Sequence, residues 1–364
     1  MKKILLAAWL TVFPIFVCHG QQTKAIDSLK QLLIVQKDTS RLNTLYKLFT
    51  TYVRNTPDSS KVYMEMLLDE STKTDHEKFL GLAYKAEGLY HYYSSDYRQA
   101  KKSYGKSITI YENLGLKVPL SRMYNNQGIV LKYLGELKES KAAHLKSLKI
   151  KEDLKLSPED IAASLVNLGV LEHELGNNEL STEYYSRAEK ICIDNNIEHG
   201  LNLVRMNLAG NLKDKKEYTS ALSYYDLVLN YYKQKKDYRN IARITNSIGS
   251  LYLAQDSLLK AKEFYQEANH LNIEYGITQM EGLTTRNLGK IAMKERRFSE
   301  ALDYFIKAKD ISQKTGTNTR NVGDFLNISE AYAALGEYKK AYQNREIHFR
   351  KYDSVFKKEK IDQI

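Results

Sequence analysis

A chain of 364 residues is longer than one hydrophobic core requires, so it holds either several domains or an array of repeats. Hydrophobic residues at 43% and 28 tyrosines exclude global disorder, and four prolines in this length favour helices, whose interiors reject proline. The formal net charge of +11 raises nucleic acid as a partner, but the basic residues are scattered among acids, as on solvated helical faces, and no nucleic-acid partner is expected.

The first twenty residues stand apart. Lys2 and Lys3 precede an apolar run from Ile4 to Val17, and Cys18, His19 and Gly20 follow. Charge, apolar run, then small residues at −3 and −1 of a cut after Gly20 is the order of a secretory signal. The run is too short to span a bilayer comfortably, and Pro14 interrupts it. The expectation is export to the periplasm or beyond, with cleavage near Gly20. An uncleaved membrane anchor and a lipid on Cys18 are the alternatives; Val17 stands where a lipid-attachment box wants a small residue. No later segment is apolar long enough to span, so no membrane span is expected in the mature chain. Removing residues 1–20 lowers the net charge by two and leaves Cys192 as the sole cysteine. One cysteine makes no intramolecular disulfide and no metal cluster, so stability must come from packing.

The remainder repeats. A small residue opening the second helix of each unit falls at Ser60, Ala100, Ser140, Ser181, Ala221, Ala261, Ala301 and Ala341. The step is 40, except 41 between Ser140 and Ser181. Twelve residues before seven of these stand Gly88, Gly128, Gly169, Ala209, Gly249, Gly289 and Ser329. Glycine in a helix interior costs about 1 kcal/mol relative to alanine, so its recurrence points to close approach of two antiparallel helices. The first unit departs, with Leu48 opposite Ser60, as terminal repeats commonly do. Tyr104, His144, Tyr185, Tyr225, Tyr265 and Phe305 lie four residues after the second small position. Ser107, Ser147, Ala188, Val228, Ala268 and Ala308 lie seven after it. That spacing marks one buried helical face, so the aromatic stripe reads as core.

Polar clusters separate the columns, among them Ser94-Ser95-Asp96, Gly135-Glu136, Gly176-Asn177-Asn178 and Gly336-Glu337, and read as short helix connections. Ser157-Pro158-Glu159-Asp160 is a helix start, with Ser157 as N-cap and proline in the first turn. Forty residues per unit leave two helices of about 15–18 residues, roughly 25 Å long. The units lie near 41–70, 81–110, 121–150, 162–191, 202–231, 242–271, 282–311 and 322–348, within a solenoid over 21–350. Residues 342–364 read as a charged terminal helix, with Phe349, Tyr352 and Phe356 on one side and Lys357, Lys358, Glu359 and Lys360 following, able to cap the array or act as a stem.

A helix–turn–helix unit with Asn-Leu-Gly on its first helix (Asn287-Leu288-Gly289), then an aromatic and alanines on its second (Phe298, Ala301, Phe305, Ala308), resembles the tetratricopeptide repeat. The resemblance covers about residues 40–350. The common unit has 34 residues, and the longer one here is similar to the variant in kinesin light chains and bacterial peptide-pheromone receptors. It implies an all-α, right-handed superhelical solenoid of about eight hairpins with a concave, peptide-binding groove. Exported bacterial repeat proteins and sensor domains of envelope signalling systems also look similar.

Signatures of catalysis are missing. There is no phosphate-binding glycine loop, no G-x-S-x-G and no H-E-x-x-H, so no enzyme and no cofactor is expected. Glu172-His173-Glu174 lacks a second histidine and reads as surface; His91 and His144 read as packed, and Cys192, between two isoleucines, as a small hydrophobe. The candidate site is instead a column of asparagines two residues before the small position: Asn126, Asn167, Asn207, Asn287 and Asn327, with Asn246 beside Ser247 in the remaining unit and Asn125 beside Asn126. A carboxamide donates and accepts, so a ladder of them can pair with an extended peptide backbone; the same residues could equally serve helix packing. Arg122, Arg243, Arg286 and Lys290 share that face and suit an acidic segment or a C-terminal carboxylate. The expected function is a protein- or peptide-binding scaffold; the alternative is the sensory part of an envelope signalling system. Oligomeric state is not legible.

Overall fold

The computed structural model describes residues 26–53, 56–74, 76–314 and 318–352. The expected signal segment at 1–20 with Cys18, and the terminal residues from Phe356 to Lys360, lie outside the described residues. Among the described residues all regular structure is helical. Helix α1 spans 26–35, an element outside the repeat columns. Eight hairpins follow: α2 (Asp38–Tyr52) with α3 (Pro57–Lys73), α4 (Glu77–Tyr93) with α5 (Tyr97–Asn113), α6 (Lys117–Tyr133) with α7 (Leu137–Asp153), and α8 (Pro158–Glu174) with α9 (Asn178–Asp194). The last four are α10 (Glu198–Asp214) with α11 (Tyr218–Lys235), α12 (Tyr238–Ala254) with α13 (Leu258–Glu274), α14 (Thr278–Lys294) with α15 (Phe298–Lys314), and α16 (Asn318–Ala334) with α17 (Tyr338–Tyr352). The terminal helix thus starts at Tyr338, four residues before its expected start, and is the second helix of the eighth hairpin.

The chain divides into two compact parts between Ile150 and Lys151. In each part the helices of a hairpin pack on each other, and second helices pack on the next first helix, as α5 does on α6 and α13 on α14. Some first helices also touch: α2 with α4 in the N-terminal part, and α8 with α10, α10 with α12 and α12 with α14 in the C-terminal part.

The 40-residue step has a local cause. Most helices have 17 residues, and most are joined by three-residue turns, whether within a hairpin or between hairpins. Among the described residues the middle of these turns is left-handed, at Ser95, Gly115, Gly135, Asn196, Lys216, Asp256, Gly276 and Arg296 among others. The next amide then reaches back five residues, as Leu116 N–H does to the Tyr111 carbonyl (2.9 Å) and Ile277 N–H to the Asn272 carbonyl (2.7 Å). This is the Schellman closure, which satisfies carbonyls a helix end leaves open. Helix plus turn gives 20, and two give 40. The single 41-residue step comes from the α7–α8 connection, 154–157, which has one residue more. There Ser157 Oγ accepts from the Asp160 amide (3.2 Å) ahead of Pro158, as expected for that start.

The packing columns meet in a specific way. The small positions are buried, and two serines among them donate to the facing glycine: Ser140 Oγ to the Gly128 carbonyl (2.8 Å) and Ser181 Oγ to the Gly169 carbonyl (2.7 Å). The glycines, however, are demanded by the aromatic column. A Cβ on Gly88 would stand 2.5 Å from the Tyr104 ring, on Gly169 2.5 Å from Tyr185, on Gly249 2.8 Å from Tyr265 and on Gly289 2.6 Å from Phe305. His144 fills the same place over Gly128. Each ring packs on the first helix at the glycine and is buried. A fully buried aromatic contributes on the order of 2–3 kcal/mol, more than the helix propensity glycine forfeits. Leucine at Gly289 has to displace the Phe305 ring from a closed site, so G289L is expected to lower stability by about 3 kcal/mol in denaturant unfolding. Alanine is expected to cost much less, because Ala209 already faces Tyr225 at the corresponding place.

Candidate functional site

The asparagine column lies on the first helices, and its members differ in what they do. Asn287 is buried, and its Nδ2 donates to Asn246 Oδ1 (3.0 Å), which joins α14 to α12. Asn126 hydrogen-bonds the Tyr104 hydroxyl; burial pushes that phenol up, and the asparagine offsets part of the rise. Asn125, Asn167, Asn207 and Asn327 are half-buried. The ladder is therefore not a uniform row: some rungs hold helices together.

The cations also separate. Arg122 and Lys290 are exposed. Arg243 is half-buried, with Nη2 3.2 Å from Met206 Sδ and a buried Nε without a hydrogen-bond partner among the described residues. Arg286 is committed elsewhere. Its Nε pairs with Asp324 Oδ1 on α16, and its Nη2 lies 3.3 Å from Ser312 Oγ on α15. The side chains are 12% and 0% exposed, so the guanidinium is neutralised inside the stack. The basic spot expected from Arg243, Arg286 and Lys290 therefore lacks the Arg286 charge. The sequence did carry a signal for this pairing. Asp324 falls in the column of Ala83, Met123, Ser164, Val204, Ile244 and Thr284, all buried and uncharged. A carboxylate there needs a cation.

Lys151 is a second case, on the C-terminal side of the division. It is 4% exposed, in the column of the buried Cys192, Tyr232 and Asn272. Its ammonium donates to Ser164 Oγ (2.8 Å) and to the Asp160 carbonyl (3.0 Å). Cys192 itself is fully buried, and burial pushes its thiol up, away from nucleophilic use. His173 lies on the surface, 2.7 Å from Asp214. Among the described residues no three His, Cys, Asp or Glu side chains gather as metal ligands, and no helix is long and apolar enough to cross a membrane.

One concavity in the N-terminal part is lined by α2, α4, α5 and α6. It is a cleft of about 430 Å³. Tyr46, Phe79 and Tyr111 supply aromatic walls, and Lys78, Lys85 and Arg122 supply charge. Lys85 Nζ stands 5.1 Å over the Tyr46 ring, and no carboxylate is among the lining residues. Lys78 and Phe79 also border a second cleft of about 500 Å³ that reaches Leu114 and Leu116 at the α5–α6 turn. Of the residues expected from the asparagine and cation columns, only Arg122 lines the first cleft. Column reasoning missed the rest because the cleft draws on four helices and the residue type changes between equivalent positions, as from Phe79 to Pro119 and from Leu82 to Arg122.

Asp324→Ala leaves the largely buried Arg286 guanidinium unpaired and is expected to cost about 3–5 kcal/mol in chemical denaturation, whereas replacing both residues by apolar ones of similar volume should recover most of that loss.

No family model and no curated protein matches this sequence. Solved structures do. The apo form of RapI is 14% identical with a TM-score of 0.61, over 75% of this chain and 99% of that one. The apo form of the quorum sensor NprR from B. thuringiensis is 12% identical with a TM-score of 0.61, over 92% of this chain and 94% of that one. NprR in complex with its cognate peptide NprX is 14% identical with a TM-score of 0.58, over 88% and 98%. The chain has the all-α fold of the tetratricopeptide-type helical-repeat proteins.

Proposed function

We propose that this protein is a non-enzymatic peptide-binding scaffold whose ligand lies along the first helices. The observation that carries this reading is the cleft lined by α2, α4, α5 and α6, where three cations and three aromatic rings converge without a lining carboxylate. Such a surface suits an extended segment with acidic groups or a free C-terminal carboxylate, held by charge-assisted hydrogen bonds, with an apolar side chain against Phe79. The contacts between successive first helices favour an inner, concave face on that side within each part. Asn207 and Asn327 keep half-buried carboxamides on this face, available to a peptide backbone in the C-terminal part. NprR, which shares the fold, has been solved with a peptide bound.

An immobilised peptide library is the direct test. Acidic peptides are expected to be retained, and Lys78→Ala with Lys85→Ala and Arg122→Ala should weaken the best of them at least about ten-fold, some 1.4 kcal/mol. Retention should also fall with salt. A variant that retains the same peptides equally well rules out this cleft.

The reading places the protein in the periplasm or outside the cell, on the strength of the charged, apolar and small-residue order of residues 1–20. N-terminal sequencing of the protein recovered from cells is then expected to begin at Gln21; a chain that still carries Lys2 and Lys3 contradicts cleavage.

A further inference from the structure

The cleft of the N-terminal part has a counterpart in the C-terminal part. Three of its lining residues, Leu82, Tyr111 and Arg122, recur 121 residues later, three hairpins on, as Leu203, Tyr232 and Arg243. Leu203 lies on α10, Tyr232 on α11 and Arg243 on α12, and α10 touches α12. Arg243 Nη2 stands 3.2 Å from Met206 Sδ, and Met206 shares a face of α10 with Leu203, three residues before it. Tyr232 is buried. Burial pushes its phenol up and the Arg243 charge offsets part of the rise, so the guanidinium acts on that hydroxyl.

Other half-buried arginines of the first helices have an acid. Arg41 pairs with Glu70 (2.9 Å), Arg205 with Glu189 (3.2 Å) and Arg286 with Asp324. Arg243 has no carboxylate partner among the described residues, and its buried Nε lacks a hydrogen bond there. The acid nearest to it in the sequence, Asp237, is spent on the start of α12. Its Oδ1 accepts from the Asn240 amide (3.1 Å) and its Oδ2 from Asn240 Nδ2 (2.6 Å). A guanidinium stays charged, and keeping it half-buried without a partner costs stability. Packing does not ask for it: Leu82, Ala163, Leu203 and Leu283 fill the same column in other hairpins.

We infer that Arg243 binds the C-terminal carboxylate of a peptide whose last side chain is apolar and lies against Leu203 and Met206. A carboxylate meets a guanidinium through two parallel N–H bonds, which supplies the missing partner. The choice of a single carboxylate follows from the other counterparts. Lys78 and Lys85 become His199 and Met206, so two of the three cations of the N-terminal cleft are replaced. One cation among apolar residues suits one carboxylate with an apolar neighbour, not an acidic run. Half-buried Asn207, one turn from Leu203, can pair with the preceding peptide group. Gly210 follows on the same face. A Cβ there would meet nothing, so packing does not demand a glycine that costs the helix about 1 kcal/mol, and its place stays open to a chain. The site goes beyond the N-terminal cleft and does not depend on it.

The probe is a short peptide of glycine and serine that ends in leucine, labelled with fluorescein at its N-terminus. The control is the same peptide with a C-terminal amide. With the full chain the free acid is expected to bind at about 100 μM or tighter, and the amide at least about ten-fold more weakly. Arg243→Met should weaken the acid about ten-fold or more while the melting temperature stays the same or rises, because an unpartnered charge is removed. Met206→Glu gives the guanidinium an internal carboxylate and should also weaken the acid about ten-fold or more, again without lowering the melting temperature. Lys78→Ala with Lys85→Ala and Arg122→Ala should leave the affinity unchanged, which separates this site from the N-terminal cleft. Equal binding of acid and amide, indifference to the Arg243 and Met206 substitutions, or loss on the three N-terminal substitutions overturns the inference. So does a melting temperature lowered by Arg243→Met, which assigns the arginine to packing. Octanoate that displaces the probe at a lower concentration than acetyl-leucine assigns the site to a fatty acid and overturns the choice of a peptide.

Discussion

The fold depends on one contact made again in hairpin after hairpin: an aromatic ring of the second helix laid on a glycine of the first. Antiparallel helices with ordinary side chains pack about 8–10 Å apart. Removing the Cβ at Gly88, Gly169, Gly249 or Gly289 lets a ring occupy that space and touch backbone directly. The contact also fixes azimuth, because only one side of the first helix lacks a Cβ. Once the ring is seated, the alanine or serine four residues before it is directed at the same first helix, where Ser140 and Ser181 find the glycine carbonyls. The left-handed turns then set the length, and together the two features make the array periodic.

Much of this is legible in the chain because periodic features repeat their own evidence. The small column, the aromatic column and the polar turns each recur at one step, so a single exception such as Ala209 or His144 does not obscure them. What the columns do not reveal is the partner of each position. Glycine twelve residues before a small residue reads as a small–small contact, whereas the ring sixteen residues on makes the closer demand. Helix α1 escapes for the opposite reason: it occurs once. The cleft on α2, α4, α5 and α6 escapes because it depends on how four helices lean together, and Lys78, Lys85 and Tyr46 share no column.

Departures from a buried column are more informative than the column itself. Asp324 and Lys151 occupy positions that are buried and uncharged in most hairpins, and each has a specific partner. A buried ion pair adds little net stability over apolar residues, but it penalises misalignment heavily, since a shifted helix strands a charge. In a stack of nearly identical hairpins that penalty is useful. Packing columns alone would let α14 meet a wrong neighbour almost as well as α16, and the Arg286–Asp324 pair distinguishes them. The Asn287–Asn246 bond does the same between α14 and α12.

The same logic separates what is generic in this protein from what is particular. Positions that obey the columns hold every hairpin in the same way and say nothing about a ligand. Individuality lies where the columns are broken or interrupted. Asp324 restricts what may stand beside Arg286, and Lys151 selects the serine of α8 as its partner. Alignment within the array thus rests on an apolar contact shared by most of the hairpins and a charge that belongs to one.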